Sequence, residues 1–189
     1  MKIKAIIILV LFGFFATIWA DSNGGYAGSY LRMGLGARAT AMGNTGITDQ
    51  PDGYSFYYNP ALSGLIEDKI VSLSYSFLSL DRRFNFIGYS MKVPPGAGFS
   101  VGWINSGVDN IKSYSLIGEE TGTIEHSINA AYFNFSRYFG DRVSIGLSIK
   151  YLWENLGFTS DKYESRGWGW DFGALYRFND RIFGSKFPK

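Results

Sequence analysis

Val143-Ser144-Ile145-Gly146-Leu147-Ser148-Ile149-Lys150-Tyr151-Leu152-Trp153 alternates without a miss. Successive side chains of a strand point to opposite faces. Val143, Ile145, Leu147, Ile149, Tyr151 and Trp153 therefore form one apolar wall ending in two aromatics. Ser144, Gly146, Ser148, Lys150 and Leu152 form a small and polar wall behind it. At about 3.3 Å per residue the stretch reaches about 36 Å, enough to cross a hydrocarbon layer at a tilt of about 45°. A strand of a soluble sandwich is about half as long. The stretch predicts a membrane-crossing strand, with Leu147, Ile149, Tyr151 and Trp153 toward lipid and Ser144, Ser148 and Lys150 toward a lumen.

The same two-faced pattern repeats on either side. Val71, Leu73, Tyr75 and Phe77 alternate with serines, and Ile87, Tyr89, Met91 and Val93 alternate with Gly88, Ser90 and Lys92. Phe99, Val101 and Trp103 follow, then Ala131, Phe133 and Phe135. After the quoted stretch, Trp168, Trp170, Phe172, Ala174 and Tyr176 oppose Gly169, Asp171, Gly173 and Arg177. This register puts Trp170 toward lipid and Asp171 and Arg177 toward the lumen. Tight turns are expected at Pro94–Gly98, Gly140–Arg142 and Asn179-Asp180 from their residue types. Gly107–His126 and Gly157–Gly167 read as long polar links. Short turns at one end and long loops at the other are the parity of an outer-membrane barrel. Alternation alone also suits a secreted or periplasmic β-sandwich with a binding or structural role, which stands as the alternative.

The N-terminus supplies a route to a membrane. Lys2 and Lys4, an apolar run from Ala5 to Phe15, and Ala20 before Asp21 read as a secretory signal peptide over residues 1–20. Composition agrees with an exported β protein, with 24 Gly, 13 Tyr, 16 Phe, 5 Trp and no Cys in 189 residues. The missing Cys removes disulfides, thiol catalysis and thiolate metal sites together. The net charge of +2 falls to zero without Lys2 and Lys4, so no nucleic-acid partner is implied. A mean hydropathy of -0.02 is compatible with a barrel, because lumen residues alternate with apolar ones.

Residues 21–68 lack sustained alternation and read as an N-terminal plug ahead of a barrel segment at 69–189. Gly34 to Gly43 suggests a turn or two of small-residue helix, ended by Gly43 in the left-handed conformation. Asn59 caps a second short helix whose first position is Pro60, followed by Ala61.

Gly-Ala-Arg-Ala-Thr-Ala-Met-Gly at Gly36 to Gly43, Tyr-Tyr-Asn-Pro-Ala at Tyr57 to Ala61, and the first strand directly after them resemble the PorV/PorQ family of bacterial outer-membrane proteins, itself similar to FadL-type fatty-acid channels. Trp170 to Tyr176 resembles a further family strand with an inward Asp and Gly. The resemblance implies an all-β, transmembrane antiparallel barrel of about fourteen strands in the outer membrane of a two-membrane bacterium, with an N-terminal plug in its mouth. It implies a role in type IX secretion and surface attachment, or in passage of hydrophobic small molecules. Secretion-system proteins, hydrophobic compounds and outer-membrane lipid are the partners it suggests. Arg38, Met42, Gly43, Asn59, Pro60 and Ala61 would belong to the plug. Six strands and the start of a seventh are fewer than the eight of the smallest single-chain barrels, so a C-terminally truncated member is expected.

Enzymatic signals are thin. His126, the only histidine, sits between Glu125 and Ser127 at the base of the longest expected loop and reads as a loop residue near the membrane boundary. Asp49, Asp52, Asp109, Glu119 and Glu120 match no calcium-loop spacing and read as solvated loop charges. No enzyme, cofactor or metal is expected.

Overall fold

The computed structural model describes residues 28–48, 51–140, 142–157, 162–177, 181–182 and 185–186. The expected signal peptide, Asp49 and the turn at Asn179-Asp180 lie outside the described residues. Met33–Lys189 forms one compact unit and Met1–Arg32 another, of which 28–32 are described as the start of a 3-10 turn at Ser29–Met33.

Six strands follow one another as an antiparallel meander: β1 (Ile70–Leu78), β2 (Arg82–Val93), β3 (Ala97–Tyr114), β4 (Glu120–Phe139), β5 (Val143–Gly157) and β6 (Lys162–Tyr176). β1 and β6 are the edges, and the sheet is not closed. Arg181–Ile182 (β7), expected to begin a seventh strand of the sheet, pairs instead with Ser185–Lys186 (β8).

The two links expected to be long are mostly strand. β3 runs to Tyr114 and β4 begins at Glu120, leaving 115–119 as the turn, closed by Ser115 N–H donating to the Glu119 carbonyl at 2.8 Å. β5 continues to Gly157 and β6 starts at Lys162. Polar side chains stand on both faces there, with only scattered apolar ones such as Val108, Ile111, Ile124 and Leu156, so the apolar alternation is lost while backbone pairing continues. Lys112 meets Glu120 at 3.1 Å and Ser113 meets Thr121 at 2.8 Å across the ladder. A bulge between Val108 and Ile111, with Asn110 at φ 57°, bends the hairpin where this polar extension begins.

Two short helices precede the sheet. α1 (Ala37–Ala41) ends as its sequence predicts, with Gly43 at φ 72° and Asn44 N–H donating to the Ala39 carbonyl at 2.7 Å. α2 (Ser55–Tyr58) starts where the Asp52 carboxylate accepts from Tyr54 N–H at 2.8 Å and from the Ser55 hydroxyl at 2.9 Å. A 3-10 turn at Pro60–Leu65 then leads into β1. Asn59 caps it, its Oδ1 accepting from Ala61 N–H at 3.0 Å, with Pro60 at the first position.

The sheet has one covered face, where Phe84, Phe86, Ile104 and Tyr132 are buried together with many small polar residues, and one open face rich in large apolar ones. Ser90, Ser100, Ser144 and Ser148 are 0% exposed, whereas Phe172 is 82% and Trp170 59% exposed. Leu73, Phe133, Phe135 and Ile145 share the open face and are also exposed. Leu147, Ile149, Tyr151 and Trp153 lie on it half-buried.

Candidate functional site

The covered face carries a groove cut by absent side chains. Strand register aligns Gly98 of β3 with Ser136 of β4, Ser136 with Gly146 of β5, and Gly146 with Gly173 of β6. No residue larger than serine stands in this row across four strands. The chain from Asn59 to Ser63 lies in it. A Cβ on Gly98 would strike the Ser63 carbonyl, one on Gly146 the Pro60 carbonyl, and one on Gly173 the Asn59 side chain. Backbone therefore approaches backbone at β3 and β5, and the capping Asn59 side chain fills the same space at β6, contacts that only glycine permits.

Hydrogen bonds fix the turn in its seat. The Ser144 hydroxyl donates to the Ala61 carbonyl at 2.6 Å, Asn134 Nδ2 to the Pro60 carbonyl at 3.3 Å, and the Ser63 and Ser100 hydroxyls meet at 2.9 Å. Asn59 Nδ2 donates to the Ile47 carbonyl at 3.1 Å and to Ala174 of β6 at 3.4 Å. At the opposite edge the Tyr54 hydroxyl donates to the Leu73 carbonyl of β1 at 2.9 Å. Two residues five apart thus reach both edge strands. Five strand spacings of about 4.8 Å and a six-residue offset along the strands separate those carbonyls by about 31 Å on a flat sheet. A Tyr side chain, the rise of about 8 Å over five helical residues and an Asn side chain cannot bridge that distance. The sheet therefore curves around the segment, with its covered face concave.

An aromatic cluster deepens the contact. Phe56, 1% exposed, meets Phe86 at 6.1 Å and Tyr132 at 5.9 Å between ring centroids, against Gly102, where no side chain intervenes. Leu62 and Ile66 are buried beside it. Leu35 is also buried; its N–H donates to the Tyr58 hydroxyl at 2.7 Å, and that hydroxyl also lies 2.7 Å from its carbonyl. Burial, and then the neighbouring Tyr58, push the Tyr57 hydroxyl up to about 12.

The residues expected to face a lumen lie on the covered face. Ser144 and Ser148 are spent on packing and hydrogen bonds, Ser148 accepting from Asn134 Nδ2 at 2.9 Å. Lys150 and Asp171 pair at 2.8 Å, with the ammonium 5.9 Å from the Tyr132 ring centroid. Arg177 lines an open cavity of about 550 Å³ together with Gly64–Asp68, Lys92 and Tyr138. Arg38 is in α1, and Met42, which caps it, is exposed.

Three polar residues differ from expectation. His126 is a strand residue of β4, and its Nε2 lies 2.6 Å from Glu154 of β5. Ser127 bonds to Asn105 and Asn129, so no Ser-His pair forms. Asp109 and Glu120 are strand residues rather than loop residues; Asp109 pairs with Arg83 and Glu120 with Lys112, and both carboxylates stay exposed to solvent. Glu119 remains in the exposed turn. Among the described residues no group of three His, Asp or Glu is placed to hold a metal ion.

The open face changes character along its strands. From Phe139, Val143 and Tyr176 to Trp103, Tyr151 and Trp168 it is almost wholly apolar, Arg137 excepted. Tyr151 stacks on Trp153 at 5.5 Å and meets Trp168 at 4.9 Å. The next row is Tyr75, Asn85, Asn105, Asn129, Trp153 and Arg166, and beyond it stand Arg83, Ser127, Asn155 and Glu164. Trp103 Nε1 donates to Asn129 at 3.2 Å across the boundary. Sequence reasoning missed this amide row, because three asparagines on three strands align only once the register is known.

No family model, curated protein or solved structure matches the chain.

Proposed function

We propose that this chain forms the wall and plug of an outer-membrane β-barrel that serves as a docking and attachment component of a type IX-like secretion system. The open face supports the membrane part of this reading: a continuous band of large apolar residues is exposed while serines and glycines are packed inside. From Val143 to Trp153 the apolar band spans ten residue steps, about 33 Å of strand. At a tilt of about 45° it is about 24 Å tall, against the roughly 25 Å band of outer-membrane barrels. Aromatics edge the band where it meets the amide row, as at a membrane interface. An apolar face of this extent exceeds what monomers in water usually carry. No described helix is long and apolar enough to cross a membrane, so strands are the elements that would do so.

The choice of a docking component over a channel rests on the seat of the Asn59–Ser63 turn. Three glycine contacts and five hydrogen bonds to the sheet or its own segment hold it as a fixed stopper. Passage of hydrophobic small molecules is the second reading, favoured by the open cavity beside Arg177.

The test is expression, in a two-membrane bacterium, of the chain with its leader and with the downstream strands needed to close the sheet, since two open edges are not tolerated in lipid. A membrane-bound species that resists carbonate extraction and shifts in gel mobility on heating is expected. Co-purified secretion components support the docking role, and uptake of a labelled hydrophobic compound without such partners supports the channel. A stable water-soluble monomer overturns the membrane reading in favour of a secreted sandwich.

A further inference from the structure

We infer that Arg137 of β4 binds the headgroup of an anionic phospholipid at the turn end of the open face. The inference rests on the membrane reading above and adds to it a contact that selects lipid by charge. Arg137 is the one charged residue among the described residues of the apolar band, and it stands one row inside the last row, Phe139, Val143 and Tyr176. A charge on a lipid-facing strand is tolerated only where it reaches the interface. The guanidinium lies 5.5 Å from the centroid of the Phe139 ring, so the side chain leans toward the turn end and out of the band. Two residues of strand at a tilt of about 45° are about 5 Å of height, within the reach of an arginine.

Among the described residues no carboxylate pairs with Arg137, nor with Lys69, Lys92, Arg142 or Arg177 at the same end. Glu67 and Asp68 line the cavity that holds Lys92 and Arg177, on the covered side, and Asp141 in the adjoining turn lies outside the described residues. At the hairpin end the cations are spent instead, Arg83 on Asp109, Lys112 on Glu120 and Arg166 on Glu164. The turn end therefore keeps a surplus of positive charge where the band stops, which is complementary to an anionic lipid surface. The order of groups also matches a phospholipid. Acyl chains lie against Phe135, Ile145 and Phe172, and the phosphodiester beyond them meets the guanidinium beside Phe139. A headgroup with its own ammonium brings a second positive charge to the site, so one without it fits better.

Ile145 faces Arg137 across β4 and β5 and is exposed, so a label there reports on the site. The chain with the downstream strands that close the sheet, carrying Ile145→Cys as its one cysteine and a fluorophore on it, is reconstituted into phosphatidylcholine vesicles. A minor component of these is phosphatidylglycerol or phosphatidylcholine with a quenching nitroxide near the top of one acyl chain. Quenching by the glycerol lipid should exceed that by the choline lipid about fivefold, the scale of one cation at an anionic surface. Arg137→Gln should abolish the difference, and Arg137→Lys should keep most of it. A second label, on Tyr75→Cys at the hairpin end, should be quenched equally by both lipids. Equal quenching at position 145, a preference that survives Arg137→Gln, or the same preference at position 75 overturns the site while the membrane reading stands. Loss of the preference in inorganic phosphate but not in chloride of equal ionic strength assigns the guanidinium to free phosphate and overturns the lipid as its partner. Absence of quenching at both positions by both lipids overturns the membrane reading itself.

Discussion

The two faces of one sheet use side chains in opposite ways. On the covered face size is the controlled quantity: Gly98, Gly146 and Gly173 are absent side chains, and Ser136 and Ser144 are the smallest polar ones. On the open face polarity is controlled and size is not, since Val71, Phe133, Ile149 and Trp170 share one row. A solid partner demands shape, and a fluid one demands only that it be wetted. The difference teaches that the covered face is fitted to backbone, while the open face, on the membrane reading proposed above, is fitted only to be wetted by acyl chains.

The largest expected effect separates those two demands at neighbouring positions. Leu147→Arg should cost up to about 4 kcal/mol in a bilayer if the open face meets lipid. Urea titration of vesicle-inserted protein measures it, and a variant as stable as the parent would break the comparison. Ser148→Arg, on the opposite face, should also be poorly tolerated, because Ser148 is fully buried and accepts from Asn134.

Gly146→Leu probes shape directly. The Pro60 and Ala61 backbone cannot rotate away as a side chain does, so the cost should be about 3 kcal/mol, the top of the overpacking range. Limited proteolysis should then cut between Tyr57 and Leu65, where the parent resists. Continued protection would show the row to be roomier than its register implies.

A pH titration sharpens the comparison further. Tyr57 is held protonated in the folded segment up to about 12, against about 10 in an unfolded chain. The stability this represents is fully present below pH 10 and is lost between pH 10 and 12, by about 2 kcal/mol. Tyr57→Phe should flatten that limb in a urea series across the range, and an unchanged alkaline limb would reassign it.

The smallest effect belongs to the cap. Asn59→Ala removes the acceptor for Ala61 N–H and should cost about 1 kcal/mol. Loosening of the segment by proteolysis, with the strands intact by circular dichroism, is the expected result. Loss of the whole sheet would mean that the cap nucleates it.

Legibility in the sequence followed these same demands. Where one face was apolar and the other not, as in β1, β2, β5 and β6, alternation announced the strand. Where Asn105, Asp109, Asn110 and Lys112 put polar groups on both sides, the extended hairpin of β3 and β4 read as loop, since only backbone pairing carries it there. The cap at Asn59 and Pro60 is a local device and was legible. Its seat was not, because Gly98, Gly146 and Gly173 lie 38 to 113 residues further along and a glycine does not declare which backbone will approach it.

The glycine row also acts as a proofreader of strand alignment. A slip of one residue in β5 would turn Ile145 or Leu147 toward the Asn59–Ser63 turn in place of Gly146, and a slip in β6 would present Phe172 or Ala174 in place of Gly173. An error in β5 collides with main-chain atoms that have nowhere to go, and one in β6 with the capping Asn59 side chain and the Pro60 ring. The seated turn is thus a gauge against which the register of each strand is accepted or refused.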